Sequence, residues 1–369
     1  MKAFLNSIAI ATVSKKDKTR GQNVKFGGKT ENHVEFMMQL LRKIAFPISL
    51  IYALVVYIRN FLFDAGIFKS SSFNTPTICV GNLSTGGTGK TPMIEYLAEI
   101  LKDNNKVAIL SRGYRRKSKG FVLATSDSKV EEIGDEPFQI HSKFSDIAVA
   151  VAADRRNGIR KLQKKIKPNI ILLDDAFQHR KVKPDFSILL TAYDKLYIND
   201  WYLPTGDLRD SKREAKRANL IIVTKCPNQL SEKEQSEVII MLNPKPDQEV
   251  IFSYLSYDEE LKGNTSSILL DDLLGKKVTL VTGIANPKPL VNYLEKKGMD
   301  LEHLQFRDHH FFSSKEIELF NSKEYVLTTE KDFTRLKEHV ENLHYISVKH
   351  IFFGNGASVL EKAVTAIIY

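Results

Sequence analysis

Residues 77–101 read TICVGNLSTGGTGKTPMIEYLAEIL, and the fold turns on how this stretch divides. Residues 77–81 are apolar and β-branched, which predicts a buried strand. Residues 82–91 carry three glycines, and from residue 90 onward Met93, Ile94, Leu97, Ile100 and Leu101 recur at helical spacing. Strand, glycine-rich loop and helix in that order let backbone N–H groups converge on phosphate oxygens, and the helix N-terminus adds its dipole. Ser84, Thr85, Gly86, Gly87, Thr88, Gly89, Lys90 and Thr91 are therefore expected to cradle a nucleoside triphosphate. Lys90 would reach the β- and γ-phosphates, and the Thr91 hydroxyl would bind Mg²⁺. There is one departure: the strict pattern G-x-x-x-x-G-K-[ST] asks for glycine where this chain has Ser84.

A second apolar stretch, residues 170–175 (IILLDD), restores the reading. A buried strand ending in Asp174 and Asp175 supplies the carboxylates that Mg²⁺ requires downstream of such a loop. A guanine site usually carries an N/T-K-x-D tetrad after a later strand. Residues 224–227 read TKCP and lack the aspartate, so ATP is the expected nucleotide.

Outward from the loop, short β-branched runs alternate with amphipathic ones, the mark of βαβ units in a mostly parallel sheet. Strands are expected at 77–81, 107–110, 147–150, 170–174, 186–190 and 220–223, with helices at 90–101, 136–141, 156–166 and 231–241. A polar stretch near 262–267 leads into a second series: strands at 277–281, 301–306, 325–328 and 343–346, helices at 287–297, 314–320, 331–336 and 358–368. The reading is a P-loop NTPase-like domain over 69–265 and a smaller C-terminal α/β domain over 266–369, without a glycine-rich loop of its own.

Residues 1–37 are lysine-rich and lack sustained apolar periodicity, so a disordered extension is expected there, without the pattern of a secretory signal. Met37 and Met38 directly precede the first periodic segment, and either is a candidate translation start. Within 38–68, residues 44–58 form an uncharged run of 15, shorter than the roughly 20 of a spanning helix. Arg42, Lys43 and Arg59 flank it, which suits a helix lying in or dipping into the cytoplasmic leaflet; a helix covering the sheet is the plainer reading. The net charge of +10 suggests an anionic partner. The basic clusters lack interleaved aromatics, so nucleic acid is not expected, and no obligate protein partner is inferred. Cys79 and Cys226 read as buried, reduced thiols.

Further polar clusters fall at expected strand ends. Arg112, Arg155 and Arg209 are candidates to meet charge on a transferred phosphoryl group, and Asp135, opening a helix after Gly134, to accept or orient an acceptor proton. Residues 306–312 (FRDHHFF) end a strand; adjacent histidines make a poor metal pair, but one of them can face Asp135 across the cleft.

The ordered series VGNLSTGGTGKTP, SRGYRR, GDEPF, ADRR, LLDDAFQH, LPTGDLR, VTGIANP, FRDHHFF and TTEKD resembles the tetraacyldisaccharide 4′-kinases, the lipid A 4′-kinases of Gram-negative bacteria. The resemblance runs over about 42–337, transfers nothing at 228–276, and accommodates a hydroxyl residue at Ser84. It implies ATP- and Mg²⁺-dependent phosphorylation of the distal 4′-hydroxyl of an acylated disaccharide 1-phosphate at the inner membrane. It also implies Asp135 as base with His309 beside it, Asp174 and Asp175 on the metal, Gln178, Arg155 and Arg209 in the active site, and a membrane-associated N-terminal helix. The competing expectation is a membrane-associated P-loop ATPase switch, which needs no acceptor hydroxyl.

Overall fold

The computed structural model describes residue 37, residues 40–264 and residues 266–368; the extension expected at 1–37 lies outside them except for residue 37. The chain lays down β1 (Thr77–Asn82), β2 (Val107–Ser111), β3 (Val122–Leu123), β4 (Ala148–Val151), β5 (Ile170–Asp174), β6 (Phe186–Ala192), β7 (Leu220–Thr224) and β8 (Glu249–Tyr257). It continues with β9 (Glu260–Gly263), β10 (Ser267–Leu269), β11 (Lys277–Thr282), β12 (Asp300–Gln305), β13 (Tyr325–Thr329), β14 (Leu343–Ile346) and β15 (Val348–Phe352).

Two sheets result, ordered β15-β8-β7-β6-β1-β5-β2-β4-β3 and β10-β9-β14-β13-β11-β12. In the first, the strands from β8 to β4 pair in parallel and the edges β15 and β3 pair antiparallel. Its central strands β1, β2, β5 and β7 are buried along their whole length, as parallel strands covered on both faces must be. Alternate residues feed two cores: Ile78 and Val80 pack with Met93, Ile94 and Leu97 of the helix Lys90–Lys102, while Cys79 faces Leu110, Ile159 and Leu173 on the other side. Both cysteines are buried and free.

The strand order places β1 between β5 and β6, and Val80 pairs with Asp174. The phosphate loop after β1 and the aspartates after β5 therefore leave the sheet side by side, at a point where the strand order reverses, the usual ligand crevice of such sheets.

The expected division at 265 and 266 does not follow the sheets. β9 already belongs to the second sheet, and β15 returns to the first, where the helix Gly356–Thr365 packs on its core through Leu360 and Val364. The physical reason is a one-residue switch: β14 ends at Ile346, and β15 begins at Val348 in the other sheet.

The helix Phe46–Asp64 is preceded by helical residues 40–44. By length and composition it is apolar enough to cross a membrane, and it is mostly exposed. Ser49, Val56 and Asn60 face the protein, while Ile48, Ile51, Leu54, Val55, Ile58 and Phe61 face outward. A helix that covered the sheet would bury most of its apolar residues; this one leaves most of them exposed and buries Ser49 and Asn60 beside Val56.

Candidate active site

Gly89 caps the helix Lys90–Lys102 in a left-handed conformation, φ 81°, which closes the phosphate loop onto the helix. Asn82, the last residue of β1, organises the loop. Its amide donates to Thr88 Oγ1 at 3.1 Å, and its Oδ1 lies 3.5 Å from Lys90 Nζ and accepts a bond from Arg209. Its backbone carbonyl accepts from Gln178 Nε2 at 2.7 Å and from Arg209 at 3.2 Å. Gly81 before it explains how Gln178 comes so near: a Cβ there would lie 2.6 Å from Phe177 Cβ, so only glycine lets the turn after β5 approach β1. Thr85 is tied to the 203–209 loop through its N–H to the Asp207 carbonyl, 2.6 Å, and Ser84 bridges Leu208.

The two aspartates differ in environment. Asp175, at φ 46°, forms a two-point pair with Arg209 and lies 3.8 Å from Lys90 Nζ. Burial raises its pKa, but the charges of Lys90 and Arg209 outweigh burial and hold the carboxyl well below the usual range. Asp174 is 2% exposed. Burial, then the carboxylates of Glu136 and Asp175, push it up. Its Oδ2 accepts from Ser111 Oγ at 2.9 Å, whereas its buried Oδ1 has no hydrogen-bond partner. A buried carboxylate oxygen of raised pKa and no partner is a position for a cation. Mg²⁺ fits this donor set, since it is commonly held by one or two carboxylates, a hydroxyl and substrate phosphates. Thr91, second in the helix, is the residue that could supply the hydroxyl.

Arg155 behaves differently from the expectation that it meets phosphate charge. It is 2% exposed and donates to the carbonyls of Ala152 at 2.9 Å and Asp174 at 3.1 Å. It therefore ties the end of β4 to the end of β5 and acts on the site from beneath. Arg112 is exposed at the surface. Arg209 keeps its place beside the loop.

Asp135 opens the helix Asp135–Lys143 after Gly134. His309, at φ 63° in the turn after β12, reaches it from the second sheet, Nδ1 against Oδ2. His310 turns the other way, stacks on Phe306 and pairs with Glu316 at 3.1 Å. Two groups at the site were not singled out in the sequence. Arg335 holds Asp135 and the 309–310 turn together. His350 of β15 bonds the Gly89 carbonyl at 2.9 Å, beneath the phosphate loop. Neither belongs to a local pattern, and only the fold brings them there.

Similarity to known proteins follows the same outline. A family model for tetraacyldisaccharide-1-P 4′-kinase matches residues 41–368. The tetraacyldisaccharide 4′-kinase of Flavobacterium johnsoniae is 50% identical over 324 residues, covering 86% of this chain and 95% of its own length. That of Bacteroides thetaiotaomicron is 43% identical over 319 residues, 81% of this chain and 84% of its own. A crystal structure of LpxK from Aquifex aeolicus in complex with ATP has a TM-score of 0.75 at 30% identity, over 89% of this chain and 100% of that one. The family match is continuous through 228–276 and beyond 337, where the motif series carries no information. Because it takes in both sheets and the returning strand β15, no part of the fold stands outside it, and the chain belongs to the tetraacyldisaccharide-1-P 4′-kinase family.

Proposed function

We propose that this chain is an ATP-dependent lipid kinase that transfers the γ-phosphate to the 4′-hydroxyl of tetraacyldisaccharide 1-phosphate in lipid A biosynthesis. The observation that carries the reading is the meeting of Asp135, on a helix packed against the first sheet, with His309, in a turn of the second, in a chain of this family. A site that only hydrolysed ATP would not need a carboxylate–imidazole pair poised for an alcohol.

Lys90 and the N-terminus of its helix hold the phosphates, and Arg209 meets their charge from the side of Asp175. Thr91, Asp174 and Asp175 would hold Mg²⁺, which would neutralise charge developing on the transferred phosphoryl group. The 4′-oxygen gives its proton to Asp135 as it bonds to the γ-phosphorus, and the bond from that phosphorus to ADP breaks. Burial raises the pKa of Asp135, but hydrogen bonds from His309 and Arg335 hold it well below the usual range, so it is a weak base. That suffices, because the transition state of phosphoryl transfer is loose and asks chiefly for orientation and charge.

The helix Phe46–Asp64 lies with its apolar side in the cytoplasmic leaflet, where the acylated substrate resides. Exposed Trp201, 5.5 Å from Phe46, extends that apolar side onto the loop that ends in Arg209.

Incubation with radiolabelled ATP and tetraacyldisaccharide 1-phosphate tests the reading. Label should pass to the lipid, and Asp135→Asn should lower turnover by about 10²- to 10⁴-fold while leaving ATP binding intact. A folded, nucleotide-bound protein that transfers no label would overturn it.

A further inference from the structure

Asp135 is gripped from the second lobe by more than His309. Arg335, in the last turn of the helix Glu330–Leu336, donates from Nε to Asp135 Oδ1 at 3.0 Å and pairs through NH2 with Oδ2. Its NH1 donates to the His310 carbonyl at 3.0 Å, and NH2 lies 3.2 Å from His309 Nδ1. The guanidinium also packs over the Phe311 ring, 5.4 Å from its centroid. One rigid, buried fork therefore sets the distance between the carboxylate of the first lobe and the turn that carries the imidazole. We propose that Arg335 is a positioning residue for the kinase reaction: it aims Asp135 and His309 as a unit and keeps the carboxyl ionised for proton transfer. The proposal rests on Asp135 as the proton acceptor.

Other charged groups also face the pair. Glu136 adjoins Asp135 in the chain. Lys331 and Asp308 flank the far nitrogen of His309 at 3.4 and 3.5 Å, pair with each other at 2.9 Å and so largely cancel; Tyr114 lies 6.1 Å from the imidazole, ring to ring. A guanidinium does not lose its charge in proteins. Burial is the largest influence on Asp135 and favours the protonated, inactive acid; His309 and Arg335 together oppose it, so loss of Arg335 leaves His309 alone against burial.

The test is the pH dependence of kcat and kcat/KM for the full chain with ATP and tetraacyldisaccharide 1-phosphate, between pH 5.5 and 9. Ionisations of the substrates are common to all variants and cancel in the comparison. In Arg335→Met the Asp135 carboxyl, held below this range in the wild type, should bring an acidic limb into it, with kcat down about 100-fold at pH 6 and about 10-fold at pH 8.5. The KM for ATP should stay within about twofold, and Arg335→Lys should move the limb part of the way back. The same fractional loss at every pH, with no such limb, would overturn the proposal, as would full activity. Should the Met variant fail to fold by circular dichroism, Arg335→Gln, which keeps a donor without the charge, carries the same comparison. Asp135→Asn separates the two readings. If it turns over normally, the base assignment fails; if it is inactive while the Arg335 variant shows no such limb, only the role of Arg335 falls.

Discussion

His350 shows how one side chain can tie a distant strand to the phosphate loop. A carbonyl only accepts, so Nε2 must carry the proton it offers to Gly89, and Nδ1 must accept from Ser253 Oγ at 3.0 Å. The ring therefore has to be neutral, and burial lowers its pKa to about 4. The folded value lies below the unfolded one of about 6.5, so the unfolded chain binds more protons between the two. The stability linked to this group is full above about pH 6.5 and is lost as pH falls toward 4, at most about 3 kcal/mol. Thermal unfolding between pH 7.5 and 4.5 should show this loss in the wild type and much less of it in His350→Gln, whose amide still reaches the carbonyl. Equal slopes in the two proteins would refute the assignment. No local pattern marks His350, whereas Lys90, Asp174, Asp175 and Asp135 stand out in the sequence because each sits at a strand end or helix start inside a recognisable motif.

At the scale of elements, the helix Phe46–Asp64 joins an exposed apolar surface to the site. Ser49 Oγ donates to Thr205 Oγ1 at 2.7 Å, Tyr52 donates to the Arg209 carbonyl at 3.0 Å, and Asn60 donates to fully buried Asp210 at 2.8 Å. The helix thus rests on the loop that carries Arg209 and restrains Thr85. The two faces predict opposite outcomes. Leu54→Glu, on the outward face, should leave the melting temperature unchanged and weaken flotation with anionic vesicles by about 10-fold or more, since a buried carboxylate in lipid costs about 2 kcal/mol or more. Asn60→Ala should leave flotation intact and cost about 1–3 kcal/mol, because it removes a donor from a buried carboxylate. Vesicle binding that survives Leu54→Glu would remove the membrane role of the outward face. The apolar run was legible; which face docks was not, because it depends on partners some 150 residues away. Parallel strands read well for the opposite reason, since burial on both faces writes a continuous apolar run. β15 was missed: the strand expected at 343–346 stops where β14 does, and the chain resumes at Val348 in the other sheet. β8, β9 and β10 fell in a stretch where polar and apolar residues mix and the motif series has nothing to offer.

At the scale of the molecule, the phosphate-loop helix, the Asp135 helix and the second lobe converge on one ammonium. Lys143 Nζ lies 2.5 Å from Glu95 Oε2 and 3.2 Å from Glu330 Oε1, and Gln139 donates to Glu95 Oε1 at 2.8 Å. Glu330 opens the helix whose last turn carries Arg335, so this contact fixes the spacing at which Asp135 meets the second lobe. Burial first, then the Glu330 charge, push the Glu95 carboxyl up to about 7. Its folded pKa exceeds the unfolded one, so the linked stability is present below about 4.5 and fades as pH rises through 7. Lys143 opposes that fading by sitting between the two carboxylates. Lys143→Met should therefore cost more at pH 8, where both are ionised and face each other alone, than at pH 6, where Glu95 takes up a proton. About 3 kcal/mol is expected at pH 8, in keeping with the loss of one partner from a largely buried charge pair. Melting curves at the two pH values decide it: equal losses would show that the ammonium does not hold the lobes together. A larger loss at pH 8, with a parallel drop in turnover, would mean that the spacing of Asp135 and His309 is set here as well as at Arg335.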